Sequence, residues 1–283
     1  MKGTDLYKIH ISVFLFGFAG LFGKWIYLDA LSIVWGRVLF ASLAFGVLFA
    51  FQGRNPLKIS LKQYSSYLFL GGLLAFHWWS FFMGIQKSTV AIGLFSFASF
   101  PVFTVLLESL FFNEKWKSQY LILALLSLVG ISLLLPDLNW SNEYLQGVIW
   151  GVLSGLSFAL LTIYNRKLLP KSSAIEIAFF QDLFAFIILS PFILYHVESI
   201  GKIEWFQLLI LGTVFTALTH VLYISGLKTI KARQAALISN LEPIYGLVFA
   251  YILLGESLHW KMLLGGVLIL LAAVYTSFIS SDE

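Results

Sequence analysis

The chain has 283 residues, of which 59% are hydrophobic and only 11% are charged, whereas an average soluble domain is about 25% charged. A water-soluble protein of this length cannot hide so much apolar surface, because its exposed shell must be largely polar. The composition therefore excludes a soluble globular domain, and the absence of cysteine excludes disulfides, thiol nucleophiles and iron–sulfur clusters.

Ten apolar stretches follow one another along the chain, and each approaches or exceeds the length of about 20 residues that a membrane-spanning helix needs. Every stretch is predicted to be helical, because a lipid-exposed backbone must satisfy its own hydrogen bonds. The first stretch lacks a convincing small-residue cleavage site, which favours a span over a signal peptide. The predicted spans cover residues 9–28, 32–51, 64–86, 89–111, 119–135, 145–165, 174–196, 205–227, 232–254 and 260–279.

The second half of the chain repeats the first at a shift of 142 residues. The matched pairs are Gly84 and Gly226, Pro101 and Pro243, Glu114 and Glu256, Leu121 and Leu263, Leu126 and Leu268, and Leu128 and Leu270. Because five spans per repeat is an odd number, the second copy must enter the bilayer from the opposite side. We therefore predict an all-α polytopic membrane protein with ten transmembrane helices, built as two inverted five-helix repeats of residues 1–139 and 140–283. This architecture is typical of secondary transporters.

Lysines and arginines are distributed unevenly between the two sets of loops. With the N-terminus inside, 13 of the 18 fall in inner segments, four fall in outer loops, and Arg37 lies within a span. This asymmetry predicts a multi-pass protein of the cell membrane with both termini in the cytoplasm. It also accounts for the net charge of +4 without a nucleic-acid partner.

Two stretches of the chain carry a resemblance to a known family. Residues 84–116 read GIQKSTVAIGLFSFASFPVFTVLLESLFFNEKW, and residues 226–258 read GLKTIKARQAALISNLEPIYGLVFAYILLGESL. Each consists of a helix end, a short basic turn, a small-residue-rich helix with a central proline, and a Gly-Glu-like exit. Both stretches resemble the copies of the EamA domain of the drug/metabolite transporter superfamily.

The resemblance extends over essentially the whole chain. Trp35-Gly36-Arg37 is also similar to the family, which often has an arginine there, whereas Asn113-Glu114 departs from the Gly-Glu exit. The resemblance implies transport of amino acids, other metabolites or drugs. It also implies a central cavity lined by spans one to four and six to nine, with spans five and ten as peripheral braces.

Two prolines lie inside equivalent predicted spans, the fourth and the ninth. Pro101 and Pro243 each remove a backbone donor and free the carbonyl four residues earlier, on Phe97 and Ser239. Matched interruptions in two halves indicate a transporter binding site. The alternative is a pair of kinks that only help the helices pack.

Three charges inside spans are candidates for function, because a charge costs about 2.5–3.5 kcal/mol at the helix centre and usually faces the protein interior. Glu242 lies about 15 Å from the inner end of its helix at about 1.5 Å per residue. Asp182 lies a third of the way into span seven. Either acid is predicted to carry a proton or bind a cationic group, and Arg37 to bind a carboxylate. The alternative is a structural ion pair or a side chain that reaches to the interface.

Aromatic rings with a nitrogen that can form a hydrogen bond lie at comparable depth in spans three and eight, since Trp78 corresponds to His220 at the shift of 142. Imidazole groups titrate near neutral pH and can respond to protons. No pair of residues has the spacing of metal ligands, so we predict no metal site and no cofactor. The predicted substrate-binding or coupling residues are Arg37, His77, Trp78, Trp79, Ser99, Pro101, Asp182, His220, Tyr223, Asn240, Glu242 and Pro243.

Three further acids are given structural roles. Glu114 and Glu256 mark helix ends, and Glu108 is expected to face headgroups or a basic loop about one turn from the cytoplasmic end. Glycines 147, 151 and 155 are spaced by four, which predicts close contact between helices.

The predicted function is export of small metabolites, such as amino acids or related compounds, or of drugs by alternating access. The glycine run of residues 17, 20 and 23 lies within a span and lacks the strand that precedes a phosphate-binding loop, so the sequence predicts no ATP site. The predicted energy source is therefore a substrate gradient, or a gradient of protons as coupling ion. An intramembrane enzyme is the main alternative, but it requires a convergent nucleophile and base. A passive channel or a non-transporting receptor is the other alternative.

Overall fold

A computed structural model of the chain describes residues 2–56, 60–112, 118–134, 142–193, 200–255 and 260–282. In these segments the chain folds into helices and contains no strand. Eight helices are long and apolar enough to cross a membrane, and two more apolar helices accompany them. The all-α polytopic membrane fold is therefore confirmed, while ten crossings and the inverted relation of the two halves stay predictions.

The described residues form fourteen α-helices, numbered in chain order. They are α1 (Lys2–Ala19), α2 (Phe22–Trp25), α3 (Ala30–Phe51), α4 (Leu61–Lys87), α5 (Val90–Phe97), α6 (Phe100–Phe112), α7 (Ser118–Leu134), α8 (Asn142–Leu168), α9 (Ala174–Ile193), α10 (Lys202–Gly212), α11 (Thr219–Gly226), α12 (Ala232–Ser239), α13 (Glu242–Leu254) and α14 (Trp260–Asp282).

The first predicted span is interrupted at Gly20-Leu21, between α1 and α2, and two further spans are divided at matched positions. The fourth is split into α5 and α6 around Ala98-Ser99, and the ninth into α12 and α13 around Asn240-Leu241. Tight backbone hydrogen bonds across three residues close both breaks, from Ser99 N at 3.3 Å and from Leu241 N at 3.0 Å. Helices broken at matched positions of two halves are characteristic of transporter binding sites.

The structure refines the prediction that Pro101 and Pro243 kink continuous helices. Each proline is the second residue of a new helix, α6 or α13. In the first turn the missing N–H costs nothing, because that group has no partner within the helix. The prolines therefore start the second segments, and the breaks lie just before them.

The eighth predicted span contains a π-helical turn, Thr213–Leu218, between α10 and α11. The hydroxyl of Thr216 donates to the carbonyl of Leu211 at 2.7 Å, and that of Thr219 donates to Val214 at 3.0 Å. Such turns widen the helix and occur frequently at functional sites.

Helices of the first half pack closely on helices of the second. The α4 helix contacts α8 and α9, α3 contacts α9 and α10, and α1 contacts α11 and α13, whereas α7 and α14 pack mainly on each other. Close contact at the predicted glycines is visible: a Cβ on Gly155 would lie 2.7 Å from the Phe97 carbonyl oxygen. The bundle thus surrounds a centre at the two helix breaks.

Candidate functional site

A cluster of buried polar and aromatic side chains occupies this centre. We call its polar members the central cluster: Arg37, His77, Trp78, Asp182, His220 and Glu242, all at most 6% exposed. Five helices supply them, α3, α4, α9, α11 and α13, and the π-helical turn binds one of them. Because the contributors come from both halves, the cluster forms only when the halves pack together.

Arg37 is the cation of the central cluster and is completely buried. Its guanidinium carbon lies 3.4 Å from the centroid of the Trp78 ring, a cation–π stack. Its Nε donates to the Thr216 hydroxyl at 2.9 Å, and an Nη donates to the Phe215 carbonyl at 3.3 Å. The other Nη has no hydrogen-bond partner among the described residues. One donor of the fork therefore remains for a ligand.

Asp182 and His220 form a second part of the cluster. The Nδ1 of His220 lies 3.4 Å from a carboxylate oxygen of Asp182, and both side chains are buried. This distance allows electrostatic attraction but lacks the geometry of a hydrogen bond, and within the described part of the chain neither carboxylate oxygen has such a bond. The His220 ring also stacks on Trp78, with centroids 6.2 Å apart. Asp182 therefore retains acceptor capacity.

Glu242 is the first residue of α13, directly after the helix break, and is 2% exposed. Its neighbour in the break, Asn240, is fully buried, and neither amide atom is hydrogen-bonded within the described segments. Arg37 interacts electrostatically with both Glu242 and Asp182. The buried amide of Asn240 and the buried carboxylate of Asp182, both without hydrogen bonds among the described residues, indicate a place for a polar ligand, since buried polar groups are almost always hydrogen-bonded.

His77 and Tyr223 are held more firmly by their neighbours. The Nδ1 of His77 lies 2.9 Å from the hydroxyl of Ser154 on α8, and its ring stacks on Phe158. The Tyr223 hydroxyl lies 3.3 Å from that of Thr162. These two side chains are pre-positioned walls of the site.

Aromatic rings complete the walls of the central cavity. The space between them is too narrow for a water molecule, so the structure is closed around the site. The lining residues are Phe16, His77, Trp78, Phe81, Phe97, Phe158 and Glu242. Such a cavity must widen before it can hold a metabolite.

The central cluster contains more carboxyl groups than guanidinium groups. Asp182 and Glu242 lie with one arginine, Arg37, and with the imidazoles of His77 and His220. Burying an uncompensated charge is costly. The site is therefore suited to a proton or to a cationic group on a ligand.

The structure separates some predicted site residues from the central cluster. Trp79 is half-buried, packs on Trp150 and lines an apolar groove between α4 and α9. Ser99 lies in the break between α5 and α6, where its hydroxyl donates to the Ser96 carbonyl at 2.8 Å. Trp79 does not reach the central cavity, although Trp78 does.

Glu108 does not face headgroups, and its basic partners are closer to the other expectation for it, a basic loop, although Arg166 and Arg233 lie on helices. It is fully buried, and its carboxylate accepts hydrogen bonds from Arg166 on α8 at 2.5 Å and from the backbone N–H groups of Ala232 at 2.7 Å and Arg233 at 3.2 Å. The Arg233 Nε lies 3.6 Å away. Glu108 therefore joins α6, α8 and the start of α12, and we call these residues the Glu108 clamp.

Sequence reasoning missed the Glu108 clamp and the π-helical turn. An acid on α6 and arginines at the ends of other spans were the available signal for the first. Threonines 213, 216 and 219 at intervals of three were the signal for the second. Glu114 and Glu256 lie outside the described residues. Within the segments that the structure describes, no three or more histidine, aspartate or glutamate side chains gather as metal ligands would.

An all-helical membrane bundle with paired broken helices around a closed polar site has the architecture of a membrane transporter. The chain belongs to the EamA-like transporter family, whose model matches residues 6–135 and again residues 145–278. This membership confirms the resemblance seen in residues 84–116 and 226–258. It indicates a transporter rather than an enzyme.

Individual relatives are also named as transporters. The chain is 26% identical to the uncharacterized transporter YxxF of Bacillus subtilis, over 90% of this chain and 83% of that protein. It is 27% identical to an uncharacterized transporter of Archaeoglobus fulgidus, over 93% and 92%. It is 24% identical to an S-adenosylmethionine uptake transporter of Rickettsia bellii, over 88% and 84%.

A solved crystal structure shares the fold. Its TM-score to this chain is 0.80 at 14% sequence identity, and the match covers 98% of this chain and 96% of the other. At this identity the likeness establishes the fold alone.

Proposed function

We propose that the chain is a secondary transporter of small organic cations or zwitterions that carry a planar ring, working by alternating access in the cell membrane. The two buried carboxyl groups of the central cluster, which lie with only one arginine, support this proposal most directly. Aromatic walls on several sides favour a flat, apolar moiety beside the charged group. One relative is named for uptake of S-adenosylmethionine, a molecule of this chemical class.

Each charged group has a role in this proposal. Arg37 binds the carboxylate of a zwitterion through its free Nη, while Asp182 and Glu242 bind the cationic group. A proton on either acid removes the charge that attracts the substrate. Protonation and substrate binding then exclude each other, which is the requirement for exchange of a proton for a cationic substrate.

The proposed transport cycle uses two inverted halves, residues 1–139 and 140–283, with both termini in the cytoplasm. In the closed state the central gaps admit no water, so the halves must separate on one side at a time. Net direction in such a carrier is set by the gradients, and export stays a prediction alongside the uptake named for relatives.

Counterflow in reconstituted liposomes tests the proposal. Proteoliposomes loaded with unlabelled substrate should accumulate labelled S-adenosylmethionine or an aromatic amino acid in a saturable manner. Aliphatic dicarboxylates are the matched negative panel, because the central cluster has two carboxyl groups and only one arginine. Flux that does not saturate would identify a channel, and exchange of dicarboxylates alone would refute the proposed substrate class.

Arg37→Lys should weaken transport although it keeps the positive charge. Lysine cannot both stack on Trp78 and donate through a planar fork to Thr216 and Phe215, so transport efficiency should fall by about tenfold, equivalent to roughly 1.4 kcal/mol. Initial uptake rates against substrate concentration measure the change. Arg54→Lys is the control, because Arg54 is half-exposed and pairs at the surface with Glu176. Equal rates for both variants would remove Arg37 from the binding site.

A further inference from the structure

A second cavity lies away from the central cluster, between the first turns of α4 and the last turns of α8. Its volume is about 470 Å³, and it is lined by both polar and apolar groups. Three lysines, Lys62, Lys167 and Lys171, surround it. The transport proposal uses none of these residues.

The three lysines concentrate positive charge without a visible counter-charge. Lys62 lies in the first turn of α4, and Lys167 and Lys171 lie at and just beyond the end of α8. No acidic side chain within the described segments forms an ion pair with any of them. The positive end of the α4 helix dipole adds to the attraction for an anion.

The remaining walls of this cavity are aromatic and aliphatic. Phe69 and Tyr164 pack with ring centroids 4.9 Å apart, and Leu168 lies beside them. Phe69 is 48% exposed on a helix that is long and apolar enough to span a membrane, so we expect its outer side to contact lipid chains. The Lys167 Nζ lies 5.8 Å from the Tyr164 ring. Charge at one end and an apolar wall at the other match an amphiphile rather than a simple ion.

We propose that this cavity binds the headgroup of an anionic phospholipid, with the phosphate among the three lysines and an acyl chain along Phe69. Compact ammonium groups bind phosphate as point charges. Basic pockets between membrane helices at the bilayer surface recognise anionic lipids in this way. The lipid would bridge α4 and α8, which are in extensive contact across the two halves. The proposal does not depend on the identity of the transported substrate.

Native mass spectrometry of the full chain in non-ionic detergent tests this site. Titration with short-chain phosphatidylglycerol should show one tight site, absent with phosphatidylcholine. The Lys62→Gln, Lys167→Gln, Lys171→Gln variant should bind phosphatidylglycerol roughly tenfold more weakly or worse. All three side chains are exposed, so the variant should fold normally, as its thermal unfolding will verify.

The matched control is the Lys24→Gln, Lys87→Gln, Lys202→Gln variant, which removes three lysines from the predicted opposite face. It should bind phosphatidylglycerol as the unmodified chain does, and a Lys62→Arg, Lys167→Arg, Lys171→Arg variant should retain binding. Equal loss in the control would show a general surface-charge effect and overturn the proposal. Binding of inorganic phosphate as tight as that of the lipid would also overturn it, because the site would then be one for a free anion.

Discussion

Replacing Glu242 by glutamine is expected to abolish transport driven by a pH gradient while leaving the protein inserted and folded. Glutamine keeps the size and hydrogen-bonding capacity of the side chain but cannot carry the negative charge or exchange a proton. A hydrogen bond to a charged group contributes about 1.5–3 kcal/mol, so affinity for a cationic substrate should fall roughly 10- to 100-fold. Uptake rates measured at several pH values should become nearly independent of pH in the variant.

Glu204→Gln supplies the control for this experiment. Glu204 also lies in the first turn of a helix, but in α10 near a membrane face and not at the central break. The control should retain both its rate and its pH dependence. If Glu242→Gln retains the pH dependence of the unmodified chain, Glu242 is not the coupling group. The next candidate for the coupling group is then the pair of Asp182 and His220.

The membrane fold is predictable because lipid leaves the chain few choices. Apolar stretches of sufficient length must be helices, and eight of the ten predicted spans meet the length and hydropathy requirements in the structure. The cost of a charge in lipid is equally restrictive. It predicts that Arg37, Asp182 and Glu242 face the interior, and the structure places all three in one cluster although 205 positions separate the first from the last.

The sequence does not specify which side chains of a helix point toward the centre of the bundle. Trp78 and Trp79 are adjacent, yet successive residues of a helix point about 100° apart. One therefore stacks on Arg37 and the other packs on Trp150. Without knowledge of how α4 is rotated in the bundle, both tryptophans read as equal candidates.

Internal repetition predicts backbone features better than chemistry. The breaks before Pro101 and Pro243 match in position because the same backbone motif recurs. The residue before each proline differs, since Phe100 stands in the first copy where Glu242 stands in the second. The carboxylate that is the candidate coupling group therefore occurs in one copy only, and a repeat-based argument alone would miss which one.

Replacing Glu108 by glutamine is expected to destabilise the protein more than any other single acid-to-amide change among the described residues. The change leaves Arg166 and the buried Arg233 without their shared carboxylate and weakens the cap on α12. Removing one partner of a buried ion pair costs about 3–5 kcal/mol. For a chain of this size the unfolding midpoint should fall by on the order of 5–10 °C, measured by thermal unfolding in detergent.

Glu176→Gln is the matched comparison, because Glu176 also pairs with an arginine, Arg54 at 3.2 Å, but on the surface. An exposed pair contributes about 1 kcal/mol or less, so this variant should unfold within a few degrees of the unmodified chain. The contrast separates the effect of burial from the effect of ion pairing alone.

Since the Glu108 clamp joins α6 of the first half to α8 and α12 of the second, its loss should also increase solvent access to the central cavity from that end. A cysteine at Ser239, in a chain that otherwise has none, should then react faster with a water-soluble thiol reagent. Unchanged stability together with unchanged labelling would show that the clamp neither holds the fold nor closes the cavity.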